Sequence, residues 1–260
     1  MERQFVNYTL EDGIAIVTID HPPANALDTQ TRMELADAFD ELTTKKGEVR
    51  VAILTSAGEK FFVSGSDIKR FIDMTPETAM ASVKQALAWV LKIEQFEAPV
   101  ICAIKGYCLG GGLELAMCCD LRIAADDSKL GQPELNLSII PGGGATQRLA
   151  RLVGAGIAKD LIFTGRQITA QEGQSIGLIT KVVPKDAVLE EAKKMAKLIA
   201  AKGPLAVRAA KKAINRGLDM PLLQGLELEN DYFSGLFAHE DPREGAKAFL
   251  EKRPPEFKGK

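Results

Sequence analysis

Residues 106–120 read Gly-Tyr-Cys-Leu-Gly-Gly-Gly-Leu-Glu-Leu-Ala-Met-Cys-Cys-Asp, and this stretch restricts the fold more than any other. Three consecutive glycines carry no side chains, so the backbone can turn tightly there and another chain segment can approach closely. The apolar run after them reads as a short buried helix, with Glu114 in its first turn. A carboxylate at that point complements the helix dipole, but it must give up its water to sit among leucines. The dipole alone is one account of Glu114. A second acid further along supplies another.

The rest of the chain sets the frame for that question. Its 260 residues are 46% hydrophobic and 26% charged, which supports a full globular core. The formal net charge of -2 gives no electrostatic footprint for nucleic acid or an anionic membrane. Cys102, Cys108, Cys118 and Cys119 all lie in apolar segments with no C-x-x-C pair, and the only histidines are His21 and His239. Reduced, buried thiols and no metal site are the expectation. The opening MERQFVNYTL has no apolar signal core, and no run reaches the roughly 18 apolar residues of a membrane span. A soluble, cytoplasmic protein with neither nucleic-acid nor membrane partner is expected.

Along the chain, Phe5–Leu10 and Ile14–Ile19 flank Asp12-Gly13 as a hairpin. Asp28 caps a helix with an apolar face of Met33, Ala36, Phe39 and Leu42. Further strands are expected at Val49–Leu54, Pro99–Ile104, Leu121–Ala124 and Ile179–Val183, and a helix over about Glu77–Phe96. Thr169 to Glu172 has capping-box spacing and opens another helix. After Lys185 only helices are expected: 187–201, 205–216, 222–237 and 242–252, the last with Asp241 as N-cap and Pro242 at its first position. This divides the chain into an α/β core over 1–200 and a helical region over 201–260. Eight regular β/α units are not present, and no G-x-G-x-x-G or phosphate loop follows a strand.

A second turn resembles the glycine triplet. Ser64-Gly65-Ser66-Asp67 also leads from a strand toward a helix. Brought together, two such turns present two N–H donors to one oxygen, an oxyanion hole for charge developing on a carbonyl. Glu134 follows Gly131-Gln132-Pro133 at a candidate helix start, again among apolar neighbours. Two carboxylates beside open glycine turns fit paired acid/base work on a carbonyl substrate.

These residues carry a family resemblance. Phe62 to Lys69, Gly106 to Asp120, and Gly131 to Leu149 with its Pro141-Gly142-Gly143-Gly144 loop make the chain similar, over essentially its whole length, to an enoyl-CoA hydratase of the crotonase superfamily. The resemblance implies a crotonase-like spiral of β-β-α turns with C-terminal helices that assemble homotrimers or hexamers. It implies that the backbone N–H groups of Ser66 and Gly111 bind a thioester oxygen. Glu134 would handle the proton at Cα, and Glu114 would activate the water attacking Cβ, with Gly142 N–H helping to place it. Ser64, Asp67, Ile68 and Lys69 would line the acyl-CoA site, with Lys252 and Arg253 as further candidates for the phosphates. No cofactor is implied, because coenzyme A is part of the substrate.

Ser64 and Ser66 stand where many members of that family have alanine, and their hydroxyls have no evident role in the sequence. His21 reads as a turn residue, and Trp89 as core or as pocket wall. Three rivals remain open. Related isomerases commonly keep only the acid matching Glu134. A non-catalytic acyl-CoA binder could dispense with both acids. Gly173-Gln174-Ser175-Ile176-Gly177 matches the G-x-S-x-G of esterases, with His239 downstream, but it lacks the strand–turn–helix context.

Overall fold

The computed structural model describes residues 3–45 and 47–260, so Met1 and Glu2 of the N-terminal stretch lie outside it. Strands β1 (Val6–Glu11) and β2 (Ile14–Ile19) pair antiparallel across Asp12 and Gly13. Both turn residues have positive φ, 51° and 77°, as a two-residue hairpin of this twist requires. Helix α1 (Thr29–Thr44) starts where Asp28 accepts the N–H of Thr31. Its inward face is Leu35, Ala36, Ala38, Phe39 and Leu42, while Met33 is 49% exposed. Ala36, Phe39 and Leu42 of the expected face are thus buried, and Met33 alone is not. Glu34 turns inward instead and accepts the N–H groups of Phe5 and Val6 at 2.6 and 3.0 Å, anchoring the start of β1.

From here the chain coils, and each circuit gives one strand to each of two sheets before a helix. The first circuit is β3 (Val51–Ser56), β4 (Phe61–Val63) and α2 (Pro76–Glu94). The second is β5 (Val100–Ile104), β6 (Tyr107–Leu109) and α3 (Gly111–Met117). The third is β7 (Leu121–Ala125), β8 (Lys129–Gly131), α4 (Ala145–Val153) and α5 (Ala155–Thr164). Then β9 (Gln167–Thr169), α6 (Ala170–Ser175) and β10 (Lys181–Val183) close both sheets. The six-stranded sheet runs β1-β2-β3-β5-β7-β10 and is parallel after the hairpin; the four-stranded one runs β4-β6-β8-β9. The β-β-α spiral is therefore present.

Every strand of the smaller sheet has three residues. None was expected from the sequence, because three residues are too few to display an alternation.

The larger core joins both sheets to the helices, with Leu35, Phe39, Phe62, Trp89, Leu113 and Leu149 among its members. A second core under α7 (Val188–Ala200) packs Val188, Ala192 and Ala196 against Ile53, Ile101 and Ile123 of the large sheet. Three more helices follow: α8 (Pro204–Gly217), α9 (Leu222–Leu236) and α10 (Asp241–Glu251). Leu218, Leu222, Leu223, Phe233, Phe249 and Leu250 on them are exposed. Asp241 does not cap α10. It is the first helical residue, and its carboxylate accepts the N–H groups of Lys258 and Gly259, fastening the C-terminal tail. Among the described residues no helix is long and apolar enough to cross a membrane.

Candidate active site

Glycine at three positions lets the two turns meet. Helix α3 presses so closely on β4 that a Cβ on Gly112 would lie 2.3 Å from the carbonyl oxygen of Val63. Gly110, at φ 51°, donates its N–H to Gly131 O and turns the chain from β6 into the helix. Gly65, at φ 121°, turns the chain out of β4, and its carbonyl accepts the N–H of Leu27. As a result a Cβ on Gly111 would lie only 3.5 Å from Ser66 N. Gly111 N–H is among the unpaired donors of a helix start. Two amides from segments 45 residues apart in sequence thus stand side by side, as an oxyanion hole needs.

They border a cavity of about 460 Å³. Of the residues singled out in the sequence, Ser64, Ser66, Asp67, Ile68, Gly111, Glu114, Glu134 and Gly142 line it, whereas Lys69 does not. Asp67 accepts the N–H of Lys69 and starts a 3₁₀ turn over Ile68–Phe71. Arg253 is taken up by Glu244 and Glu251 at the end of α10. Helix α2 supplies another wall through Val83, Ala86, Trp89 and Val90.

Glu114 is 6% exposed and accepts the N–H groups of Gly143 (2.7 Å) and Ala145 (3.0 Å) on Oε1. Burial raises its pKa, opposed by those two N–H groups and by the charges of Arg148 and Arg32. Glu134 begins a 3₁₀ turn over Glu134–Leu137 after β8. Its carboxyl is pushed up to about 7 by burial and then by the negative charge of Glu114. The two acids therefore share one field and one space. Gly110 lets Glu134 in, since a Cβ there would stand 3.0 Å from Glu134 Oε1.

Two supporting residues carried no role in the sequence. Gln132 is fully buried, and its amide, oriented by the hydrogen-bond network, donates to Glu134 Oε2 and Oε1 at 3.0 and 2.9 Å. Arg148 grips Glu94 through Nε (2.9 Å) and Nη2 (2.7 Å) and donates Nη1 to Gly143 O at 2.9 Å. It thereby fixes the loop whose N–H holds Glu114. A third, Arg32, donates Nη2 to Ser66 Oγ at 2.7 Å, which gives the Ser66 hydroxyl a partner. Only the spacing of Gln132 and Arg148 within the two glycine motifs pointed toward them.

The remaining candidates have structural roles. His21 Nδ1 lies 2.8 Å from Thr31 Oγ1, and the ring stacks on Phe5. Ser175 ends α6 with its hydroxyl donating to Glu172 O, so no strand–turn–helix elbow forms. Thr169 does cap α6 by accepting the N–H of Glu172, whose carboxylate pairs with Arg166. The four cysteines are buried and free.

Comparison with known proteins agrees with this arrangement. The profile of the enoyl-CoA hydratase/isomerase family matches residues 9–260. The chain is 44% identical over 248 residues, 95% of each protein, to the crotonyl-CoA hydratase of Syntrophomonas wolfei. It is 42% identical over 254 residues, 97% of each, to the short-chain-enoyl-CoA hydratase of Clostridium acetobutylicum. The crystal structure of an enoyl-CoA hydratase from Bacillus anthracis superposes with a TM-score of 0.94 at 41% identity, covering 99% of this chain and 100% of that one. One from Geobacillus kaustophilus gives 0.96 at 35% identity, covering 100% and 98%.

Proposed function

Because this chain belongs to the enoyl-CoA hydratase/isomerase family, whose members act on acyl-CoA thioesters, we propose that it reversibly adds water across the 2,3 double bond of a short enoyl-CoA. The observation that carries the reading is the pair Glu114 and Glu134, buried in one cavity beside the adjoining amides of Ser66 and Gly111.

The thioester carbonyl oxygen accepts the N–H groups of Ser66 and Gly111. This draws electron density from the double bond and makes Cβ electrophilic. The pair of acids carries one proton. Ionised Glu114 takes a proton from water as the water oxygen bonds to Cβ, and protonated Glu134 gives its proton to Cα. In the reverse direction Glu134 removes the Cα proton and Glu114 protonates the leaving hydroxyl, so charge and atoms balance both ways. Removal of one hole donor in comparable sites costs roughly 10²–10³ in rate. Gly142 N–H helps to hold the water. Asp67, Ile68 and Lys69 lie along the path of coenzyme A, with exposed Lys69 at its outer end. No further cofactor is needed, because the thioester supplies its own activation.

The exposed apolar side chains of α8–α10 support assembly of residues 201–260 into a homotrimer or a dimer of trimers, around a catalytic core of residues 1–200. Four free cysteines support a cytoplasmic setting.

The test is turnover of crotonyl-CoA, followed by loss of enoyl-thioester absorbance and by product mass. A gain of one water that Glu114→Gln nearly abolishes is expected. An isomeric product of unchanged mass from a 3-enoyl-CoA, with no hydration, would overturn the reading in favour of an isomerase.

A further inference from the structure

The wall of the cavity beside Ser66 holds an arginine whose hydrogen bonding is unfinished. Arg32 comes from the first turns of α1 and lines the cavity with Ser66 and Trp89. Of its five N–H donors, one goes to Ser66 Oγ, and the Nε–H is buried with no acceptor. Among the described residues no carboxylate lies within ion-pair distance of it; Asp28 and Glu114 act on it only through their charge. Trp89 is 6% exposed, and its indole N–H is likewise buried without an acceptor. The guanidinium carbon stands 5.8 Å from the centre of the indole ring.

Two buried donors without acceptors in a substrate cavity run against the usual rule that such groups are satisfied. Arg70, which lines the same cavity, adds a second cation whose charge repels that of Arg32. An apolar acyl chain would leave both donors unmet and would take solvent away from the guanidinium. An anion would meet the donors and relieve the repulsion. The planar guanidinium fork matches a carboxylate in shape and charge, and an indole N–H can add a bond to the same group.

Resting on the hydratase reading above, we propose that the acyl group hydrated by this enzyme carries a distal carboxylate, bound by Arg32 with Trp89 and Arg70. The substrate class is the monothioester of an unsaturated dicarboxylic acid. Arg32 is then a specificity residue, and the serine at position 66 serves to hold its guanidinium in place. Aliphatic residues such as Ala86 and Val90 line the same cavity and would border the stem of the acyl chain.

The matched probes are glutaconyl-CoA and 2-pentenoyl-CoA, which have the same number of acyl carbons and differ by a carboxylate in place of a methyl group. The ratio of their kcat/KM values isolates the carboxylate, because general damage to the site cancels. The wild type is expected to favour glutaconyl-CoA. Arg32→Met should lower the ratio about 10- to 100-fold, the loss of one or two charge-assisted bonds. Arg32→Lys, which keeps the charge without the fork, should fall between and serves alone if the methionine variant does not fold. A wild-type ratio at or below one, or a ratio that both variants leave unchanged, overturns the inference and leaves the hydratase reading standing. If neither these thioesters nor crotonyl-CoA gain water, the hydratase reading falls instead. Calorimetry with the saturated glutaryl-CoA and pentanoyl-CoA then decides the carboxylate site, and equal or weaker binding of glutaryl-CoA would overturn it.

Discussion

The backbone N–H of Gly143 donates to Glu114 Oε1 at 2.7 Å, joining the loop before α4 to the helix that carries the buried acid. The approach is close enough that a Cβ on Gly143 would sit 2.6 Å from Glu114 Oε2 and 2.9 Å from its carboxyl carbon. Glycine at this position is therefore part of how the carboxylate is aimed.

Gly143→Ala should displace the Glu114 carboxylate or the loop and lower kcat for hydration by about 10²-fold, the usual effect of a misplacement near 1 Å. The fold should survive, since φ at this residue is not in the left-handed region. Steady-state kinetics with circular dichroism as a control checks this; near-normal kcat would show that Glu114 is not held by this contact.

The same loop is steadied from the other side by Arg148. Its bidentate grip on Glu94 and its bond to Gly143 O need the guanidinium plane. Arg148→Lys should reduce kcat about tenfold with a smaller change in KM, because substrate contacts remain while the loop loosens. An unchanged kcat in both Glu94→Gln and Arg148→Lys would remove this positioning role.

Water adds to an enoyl thioester without net uptake of protons, so the hydration and dehydration kcat/KM must follow one pH profile. That profile should be a bell, active where the two glutamates together carry one proton. Its alkaline limb is expected near 7, where Glu134 loses its proton. Its acid limb should lie above the usual carboxylate range, because burial raises Glu114 as well. In Glu114→Gln the neighbouring negative charge is gone, so carbon NMR should find Glu134 titrating below its wild-type position. An unshifted titration would mean that the two carboxyls do not sense one another.

A carboxyl raised from 4.5 to about 7 also bears on stability. Between these values the folded protein holds a proton that the unfolded chain has released, so stability falls as pH rises through this window and stays lower above it. Glu134→Gln removes the titration. It should match the wild type near pH 4.5 and exceed it at pH 8 by roughly 1–3 kcal/mol, visible as a rise of a few degrees in Tm. A variant no more stable at pH 8 would show that Glu134 is not strained by its burial.

How much of this was legible in the sequence depends on the length of each signal. The six-residue strand β1 stands out by its alternation, β2, β3 and the five-residue β5 and β7 by their apolar residues, and Asp12-Gly13 marks its turn by the left-handed backbone it needs. The four helices after Lys185 fall within a residue or two of their expected limits. In contrast, the smaller sheet gave no sign of itself, although its strand ends carry the Ser66 loop, the glycine triplet and Glu134.

Side-chain direction was the other gap. Met33 was expected inward and points out, while Arg32, one residue before it, reaches the cavity because α1 packs against α2. Successive side chains on a helix differ in direction by about 100°, enough to put Arg32 in the cavity and its neighbour Met33 at the surface, while Ala36, Phe39 and Leu42 face inward as expected. Asp241 had the chemistry of a cap and was used to tie down the tail.

By itself, then, the sequence determined the chemistry available: two acids in apolar settings, two glycine-bearing turns, and enough apolar strand to build a core. These are local properties, set by residue type and short-range spacing. Which amides meet, which acid feels the other, and which arginine enters the cavity were decided only by the tertiary structure. Ser66 and Gly111, Glu114 and Gly143, and Arg32 and Trp89 are each separated by 29 residues or more in sequence and joined by the coiling of the spiral. Hydrogen bonding and charge act over a few ångströms of space, a distance that chain spacing does not encode.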